Sequence, residues 1–481
     1  MQNLWSHTGR GIAVSALALA LTACQSMRGP EPVAQASIPS SYTAAASGTS
    51  VAEQGYKDFF ADQRLLQVLD MALNNNRDLR TATLNIQRAQ QAYQITENNQ
   101  LPTIGASGGV LRQDQGTALG THTRYNVGLG VTAYELDFWG RVRSLKDNAL
   151  DNFLATQSSR DATQIALIGQ VAQAWLNYSF ANANLKLADQ TLKTQLESYN
   201  LNKKRFDVGI DSELPVRQAQ ISVETARNDV ANYKTQVAQA QNLLNLLVGE
   251  QVPSALLPTQ RVTHITKTTA IGAGLPSDLL NNRPDIRTAE YRLSAAGANI
   301  GAAKARLFPS ISLTGNAGYA STDLSDLFKS GSFVWAVGPS IDLPIFDWGT
   351  RQANIKISET DQQIALADYE KSIQSAFREV NDALAVRQNI GDRLAAQKRL
   401  VDATNTTYKL SNARFRAGID NYLTVLDAQR TSYAAEQGLL LLEQANLNNQ
   451  VELYKSLGGG VKTNTSDVTS QPASSAERKA Q

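Results

Sequence analysis

Asp420, Leu423 and Asp427 are spaced i, i+3 and i+7, so on a helix two carboxylates and one apolar side chain share a face. Such a face does no covalent chemistry. Repeated around a water-filled tube, it would set an apolar ring, which gates by dewetting, beside an acidic ring, which favours cations. The same residues also admit a local role, with Asp427 capping or pairing nearby and Leu423 packed on a neighbouring helix. Arg205 and Arg414 precede turns at Gly209 and Gly418, and Asp211 and Asp420 beyond those turns are their natural partners. Exposed pairs contribute only ~0–1 kcal/mol, so they suit a weak latch. Nothing points to catalysis. His7, His122 and His264 are scattered, and there is no phosphate-binding Gly-Lys loop and no Cys or His cluster with metal-ligand spacing. The expectation is no enzyme, no cofactor and no metal.

The single cysteine, Cys24, ends the run Leu21-Thr22-Ala23-Cys24 behind an apolar stretch from Gly11, with Arg10 the only charge before it. A basic start, a short apolar run and small residues before a cut describe a secretory signal peptide over residues 1–23. The cysteine just after the cut resembles the lipobox of bacterial lipoproteins, which implies that Cys24 becomes the mature N-terminus and carries acyl chains. Each buried CH₂ adds about 0.8 kcal/mol to membrane attachment. Gln25 stands where an inner-membrane lipoprotein usually carries aspartate, which favours the outer membrane. Without a second cysteine there is no internal disulfide. Losing Arg10 leaves 44 basic against 43 acidic side chains, a balance that argues against nucleic acid as a partner.

The elements that must position these residues are written twice. Arg205-Phe206-Asp207-Val208-Gly209-Ile210-Asp211 recurs 209 residues later as Arg414-Phe415-Arg416-Ala417-Gly418-Ile419-Asp420, and Trp139-Gly140 recurs as Trp348-Gly349. At an offset of 207, Asn74-Asn75 and Asp78-Leu79-Arg80 match Asn281-Asn282 and Asp285-Ile286-Arg287, and Pro102 matches Pro309. The order predicts a signal peptide (1–23), an anchored segment (24–65), a first repeat (66–248), a connector (249–273), a second repeat (274–457) and a polar tail (458–481). In each repeat a helical stretch, Leu65–Leu101 or Pro284–Leu307, stops at a proline. A charge-poor region with period-two alternation follows, clear around Tyr125–Ala133, Ile311–Tyr319 and Phe333–Ile345 and weaker around Thr103–Leu111, so two hairpins are expected. An uninterrupted helix of about 65 residues comes next, ~100 Å long at its usual rise. It turns at Gly209 or Gly418 into a second helix ending near Val248 or Leu457.

Tyr125–Tyr134, Ile311–Thr322 and Gly331–Ile341 contain no charged side chain, as a membrane-facing strand requires. Four strands with open edges cannot sit in lipid alone, because each unpaired backbone group costs several kcal/mol there. Either copies close the barrel together, or the strands form a soluble domain beneath a coiled coil. Asn281-Asn282-Arg283-Pro284-Asp285-Ile286, Phe308-Pro309-Ser310-Ile311 and the Gly418 turn leading to Val425-Leu426-Asp427-Ala428, with the duplication and the lipobox, resemble the outer-membrane factor (TolC-like) family. The match is to the lipoprotein branch serving resistance-nodulation-division drug efflux pumps. That resemblance implies a mainly α fold with a transmembrane β-barrel portion. Duplicated half-chains would form a long helical barrel and, in a homotrimer, a twelve-stranded barrel in outer-membrane lipid. It implies a periplasmic adaptor and an inner-membrane pump as partners, with Leu423 and Asp427 at the constriction. The turns Val208, Gly209, Ile210 and Asp211 and Ala417, Gly418 and Ile419 would be the adaptor docking surface. The alternatives are the channel of a type I protein secretion system and that of a metal-ion efflux system.

Overall fold

A computed structural model describes residues 27–35, 49–50, 54–114, 120–267, 271–272 and 278–459; Cys24, the signal peptide and the polar tail past 459 lie outside them. The described chain is mostly helical, with a four-stranded antiparallel sheet and a two-stranded parallel one. In order, the elements are β1 (Thr49–Ser50), α1 (Tyr56–Phe59), α2 (Gln63–Asn75), α3 (Arg77–Asn98), β2 (Ile104–Asp114), β3 (Thr121–Glu135), α4 (Arg141–Asp207), α5 (Glu213–Val248), β4 (Ile271–Gly272), α6 (Asp278–Asn282), α7 (Pro284–Ala305), β5 (Ser310–Ser321), β6 (Phe333–Asp342), α8 (Thr350–Arg416) and α9 (Tyr422–Ser456).

Both α4 and α8 run for 67 residues. Neither contains a proline, and each starts on an aspartate that accepts from the first free amides. Asp137 takes Val142 N and Arg143 N at 3.0 and 2.8 Å, and Asp347 takes Arg351 N at 3.1 Å. No described helix is long and apolar enough to cross a membrane.

The chain divides into two compact units. One comprises residues up to 35, 85–157 and 288–371 and holds the four-stranded antiparallel sheet, in the order β2-β3-β5-β6. The register pairs Val110 with Tyr125, Val127 with Tyr319 and Tyr319 with Phe333. β3 carries a bulge between Val131 and Tyr134, with Ala133 at φ 51. An extra residue there bends the strand and increases its twist.

The other unit comprises residues 36–84, 158–287 and 372–481. Its centre is aromatic: Phe59, Phe60, Trp175 and Tyr454 are fully buried, and the Phe59 and Tyr454 rings lie 4.6 Å apart. Here the sequence expectation of one unbroken helix from Leu65 to Leu101 is corrected. The helix breaks at Asn76, whose backbone is extended at ψ 131. Asn76 accepts from Leu79 N at 2.9 Å, capping α3, and donates to Leu247 O at 2.8 Å. A distant carbonyl thus holds a kink that local helix propensity does not encode.

Arg283 occupies the same place in the second half. It donates to Ser456 O at 2.9 Å and pairs with Asp285 and Glu379 at 2.6 and 2.8 Å. Against each break sits a glycine turn, Gly249 at φ 83 and Gly458 at φ 76. A Cβ on Gly458 would stand 2.7 Å from Asn282 O, and one on Gly249 would meet Asn75 O. Gly249→Ala therefore combines a left-handed backbone, costing about 1–2 kcal/mol, with a backbone clash. The expected result is a melting transition several degrees lower, read by circular dichroism; an unchanged transition would show that the turn relaxes freely.

Candidate functional site

The sheet register sorts the strand side chains onto two faces, because paired residues point the same way and the period is two. One face carries Ile104, Val110, Tyr125, Val127, Leu129, Leu313, Tyr319, Phe333, Trp335, Val337 and Ile341. The other carries Ser107, Asn126, Ser312, Thr314, Asn316 and Ser340, with glycines between them. Ser312 and Ser340 hydroxyls meet across it at 2.8 Å. Within the single chain the apolar face is largely uncovered, with Trp335 69% exposed. Strands β2 and β6 are the two edges of the sheet, and every residue of both is exposed. A surface this apolar, ending in unpaired backbone edges, fits lipid on one side and further strands at both ends.

The second candidate region is the pair of helical tips. At the first, Gly209 takes φ 75, Gly209 N donates to Phe206 O and Ile210 N to Arg205 O, both at 2.9 Å. The second repeats this with Gly418 at φ 74, Gly418 N to Phe415 O and Ile419 N to Arg414 O, again at 2.9 Å. These paired bonds close a helix C-terminus around a left-handed glycine. Val208, Ile210 and Ile419 are exposed at the turns, as are Ala417 and Gly418. Each expected pair forms: Arg205 meets Asp211 at 3.3 Å, and Arg414 meets Asp420 through two bonds of 2.6 and 3.0 Å.

The Arg414 hydrogen bonds hold the Asp420 carboxyl below the ordinary aspartate range. A depressed carboxylate stabilises the turn above its unfolded pKa and loses that contribution as pH falls through the folded value. Acid below the normal aspartate range should therefore release the turn, while Asp420→Asn releases it at neutral pH. Amide exchange at Ile419 reports both, and equal protection in the variant at neutral pH would count against the pair.

Leu423 and Asp427 lie one turn apart on α9, which starts at Asn421, whose side chain caps Thr424 N at 3.1 Å. Leu423 is 56% exposed while Tyr422, Val425 and Leu426 are buried, so its face points away from the packed side. The Asp427 carboxylate is also exposed. Asp420 does not share that helical face: it precedes the helix, in the turn, and its carboxylate belongs to Arg414. The turn at Gly418 delays the helix start and removes Asp420 from the expected i, i+3, i+7 series.

Two features lay beyond the sequence reading. Arg205 sits 5.3 Å from the Phe415 ring centre, a cation–π contact between the two repeats; Phe415 is buried with Ala219, Tyr422, Val425 and Leu426, while its counterpart Phe206 is 42% exposed. The repeated Arg-Phe pair was its only sequence signal. Residues 27–35 are also held against α7 and the start of α8. Arg28 donates to Ser294 O at 2.9 Å, Gly29 N to Gly297 O at 3.2 Å and Gln362 to Pro30 O at 3.2 Å. The small residues Gly297 and Gly301 in α7 make room for this strap. Cys24 precedes it and lies outside the described residues.

The family model described as outer membrane efflux protein matches residues 68–250 and again 275–459. The toluene efflux pump outer membrane protein TtgI of Pseudomonas putida is 45% identical over 410 residues, 84% of this chain and 87% of its own length. The cation efflux system protein CusC of Escherichia coli O157:H7 is 38% identical over 455 residues, 92% of this chain and 97% of its own. The crystal structure of the open state of the Neisseria gonorrhoeae MtrE outer membrane channel superposes with a TM-score of 0.83 at 38% identity, covering 91% of this chain and 98% of that one. With an amphipathic sheet that fits lipid and helices that break and turn at the same places in each half, the chain belongs to the outer membrane efflux protein family, as an outer-membrane channel of an efflux system.

Proposed function

We propose that three copies close a twelve-stranded barrel in the outer membrane, each contributing its four-stranded sheet, and that their paired helices line a periplasmic conduit. The observation that carries this is the sheet itself, with one apolar face uncovered and both edges unpaired. Lipid does not tolerate open edges, and other copies of the same sheet remove them. The conduit receives substrate from an inner-membrane resistance-nodulation-division pump through a periplasmic adaptor. Adaptor docking falls on the exposed turns Val208–Asp211 and Ala417–Asp420, with Arg205 and Arg414 as latches. Leu423 and Asp427 form the aperture, and residues 66–248 and 274–457 are the repeating units.

Cys24 anchors the chain through acyl groups, and the strap at residues 27–35 ties that anchor to the sheet-bearing unit. The higher identity to a toluene pump component than to a cation system favours apolar organic substrates. Past the signal peptide only Met27 and Met71 offer thioethers, few for soft metal ions. Native mass spectrometry of detergent-extracted protein tests assembly, and a three-subunit particle is expected. Mass spectrometry of the mature N-terminus should find an acylated Cys24. A functional monomer would reject the barrel, and an unmodified N-terminus elsewhere would reject the anchor.

A further inference from the structure

We propose that Arg124 sets a ring of positive charge inside the outer mouth of the barrel, a site that takes polyvalent anions such as condensed phosphates. This rests on the trimeric reading above. It adds a charge filter, and the residue that makes it, at the end of the conduit where substrates leave.

Register puts Arg124 on the lumen side. It pairs with Leu111, one step from the Tyr125–Val110 pair of the apolar face, so it shares the polar face with Asn126 and Asn316. Chain order puts it at the outer end. β2 follows α3, β3 leads into α4, β5 follows α7 and β6 leads into α8, so all four strands meet helices at one end. The other end carries the two hairpin connections, and Arg124 is the fourth residue of β3 counted from there. With the helices in the periplasm, the hairpin end is the outer mouth.

Nothing nearby neutralises this charge. Arg124 is exposed and makes no ion pair or side-chain hydrogen bond among the described residues. Between β2 and β3 the sequence runs Gln115-Gly116-Thr117-Ala118-Leu119, with no acidic side chain. Asp114 falls on the apolar face, opposite Thr121, and Asp326 pairs with Lys329 at 2.5 Å. From Arg124 toward the helices the polar face of the described strands carries no charge until Glu135 and Asp342. Glu135 is already held by Arg141 at 2.8 Å. Arginine keeps its charge at any physiological pH, and its planar fork grips phosphate oxygens. Three of them around one water-filled mouth focus the field, which raises the local concentration of anions roughly tenfold or more. The sign is opposite to that of the proposed Asp427 ring, so the two rings act on opposite ions.

In planar bilayers, protein added to one chamber keeps its helices there, since no described helix is apolar enough to cross lipid, and its outer mouth opens into the far chamber. Sodium tripolyphosphate in the far chamber should block the current, and the same concentration in the near chamber should block it far less. In Arg124→Gln the concentration that halves the current should rise roughly tenfold, while Arg124→Lys should keep most of the block. Arg112→Gln is the control for position. Arg112 lies at a neighbouring level but on the apolar face, opposite Thr123, so this variant removes the same charge from the lipid side. His122→Gln is the control for the other basic group on the polar face, two residues further out. Both should match the unaltered channel. Block that survives Arg124→Gln, that either control removes equally, or that is the same from both chambers overturns the ring. So does an absence of block in protein that native mass spectrometry shows as three subunits. A monomer by native mass spectrometry overturns the trimeric reading, and this inference with it.

Discussion

Val337→Lys is expected to abolish assembly in the outer membrane, while Ala336→Lys, one residue away, is expected to assemble. Val337 lies on the apolar face of β6, and Ala336 points to the face shared with Asn316 and Ser340. A lysine facing lipid near the midplane costs about 2–4 kcal/mol, and the proposed trimer would repeat it for a total of roughly 6–12 kcal/mol. That total rivals the whole stability of an ordinary domain. On the polar face the same charge meets water inside the barrel. Immunoblots of outer-membrane fractions, with heat-modifiable mobility as the sign of a closed barrel, read the result. Equal assembly of the two variants would mean the faces are assigned wrongly or the sheet is not in lipid.

Leu423→Ala combined with Asp427→Ala is expected to raise passage through the resting channel on the order of tenfold, which needs only about 1.4 kcal/mol off the barrier. The exposed position of Leu423 makes this possible, because the side chain is not part of the packed core of its unit. In the proposed aperture, truncating it would remove apolar surface from the constriction, and removing Asp427 would remove fixed negative charge that selects cations. Leu423→Ala alone should widen the pore and keep cation preference; Asp427→Ala alone should weaken the preference. Single-channel recordings in planar bilayers separate the two, with thermal stability unchanged in every variant. Wild-type conductance in a correctly assembled double variant would place the gate elsewhere on the tips.

By itself the sequence determined whatever depends on neighbours a few residues apart. Period-two alternation marked three strands clearly and the glycine-rich β2 faintly, the lack of proline marked the two long helices, and Gly209 and Gly418 marked the turns. The repeat was legible because it is an identity of residues at fixed offsets and needs no structure. The tertiary structure decided what depends on residues far apart in the chain. Asn76 ends a helix where Leu247 offers a carbonyl, whereas the matching break at Arg283 is also marked locally by Pro284. Asp420 looked like part of a helical face until the Gly418 turn and Arg414 took it away. The face that meets lipid is fixed by register, since a slip of one residue along the strand would exchange the two faces. Backbone hydrogen bonds between distant strands set that register, and neither composition nor spacing expresses them.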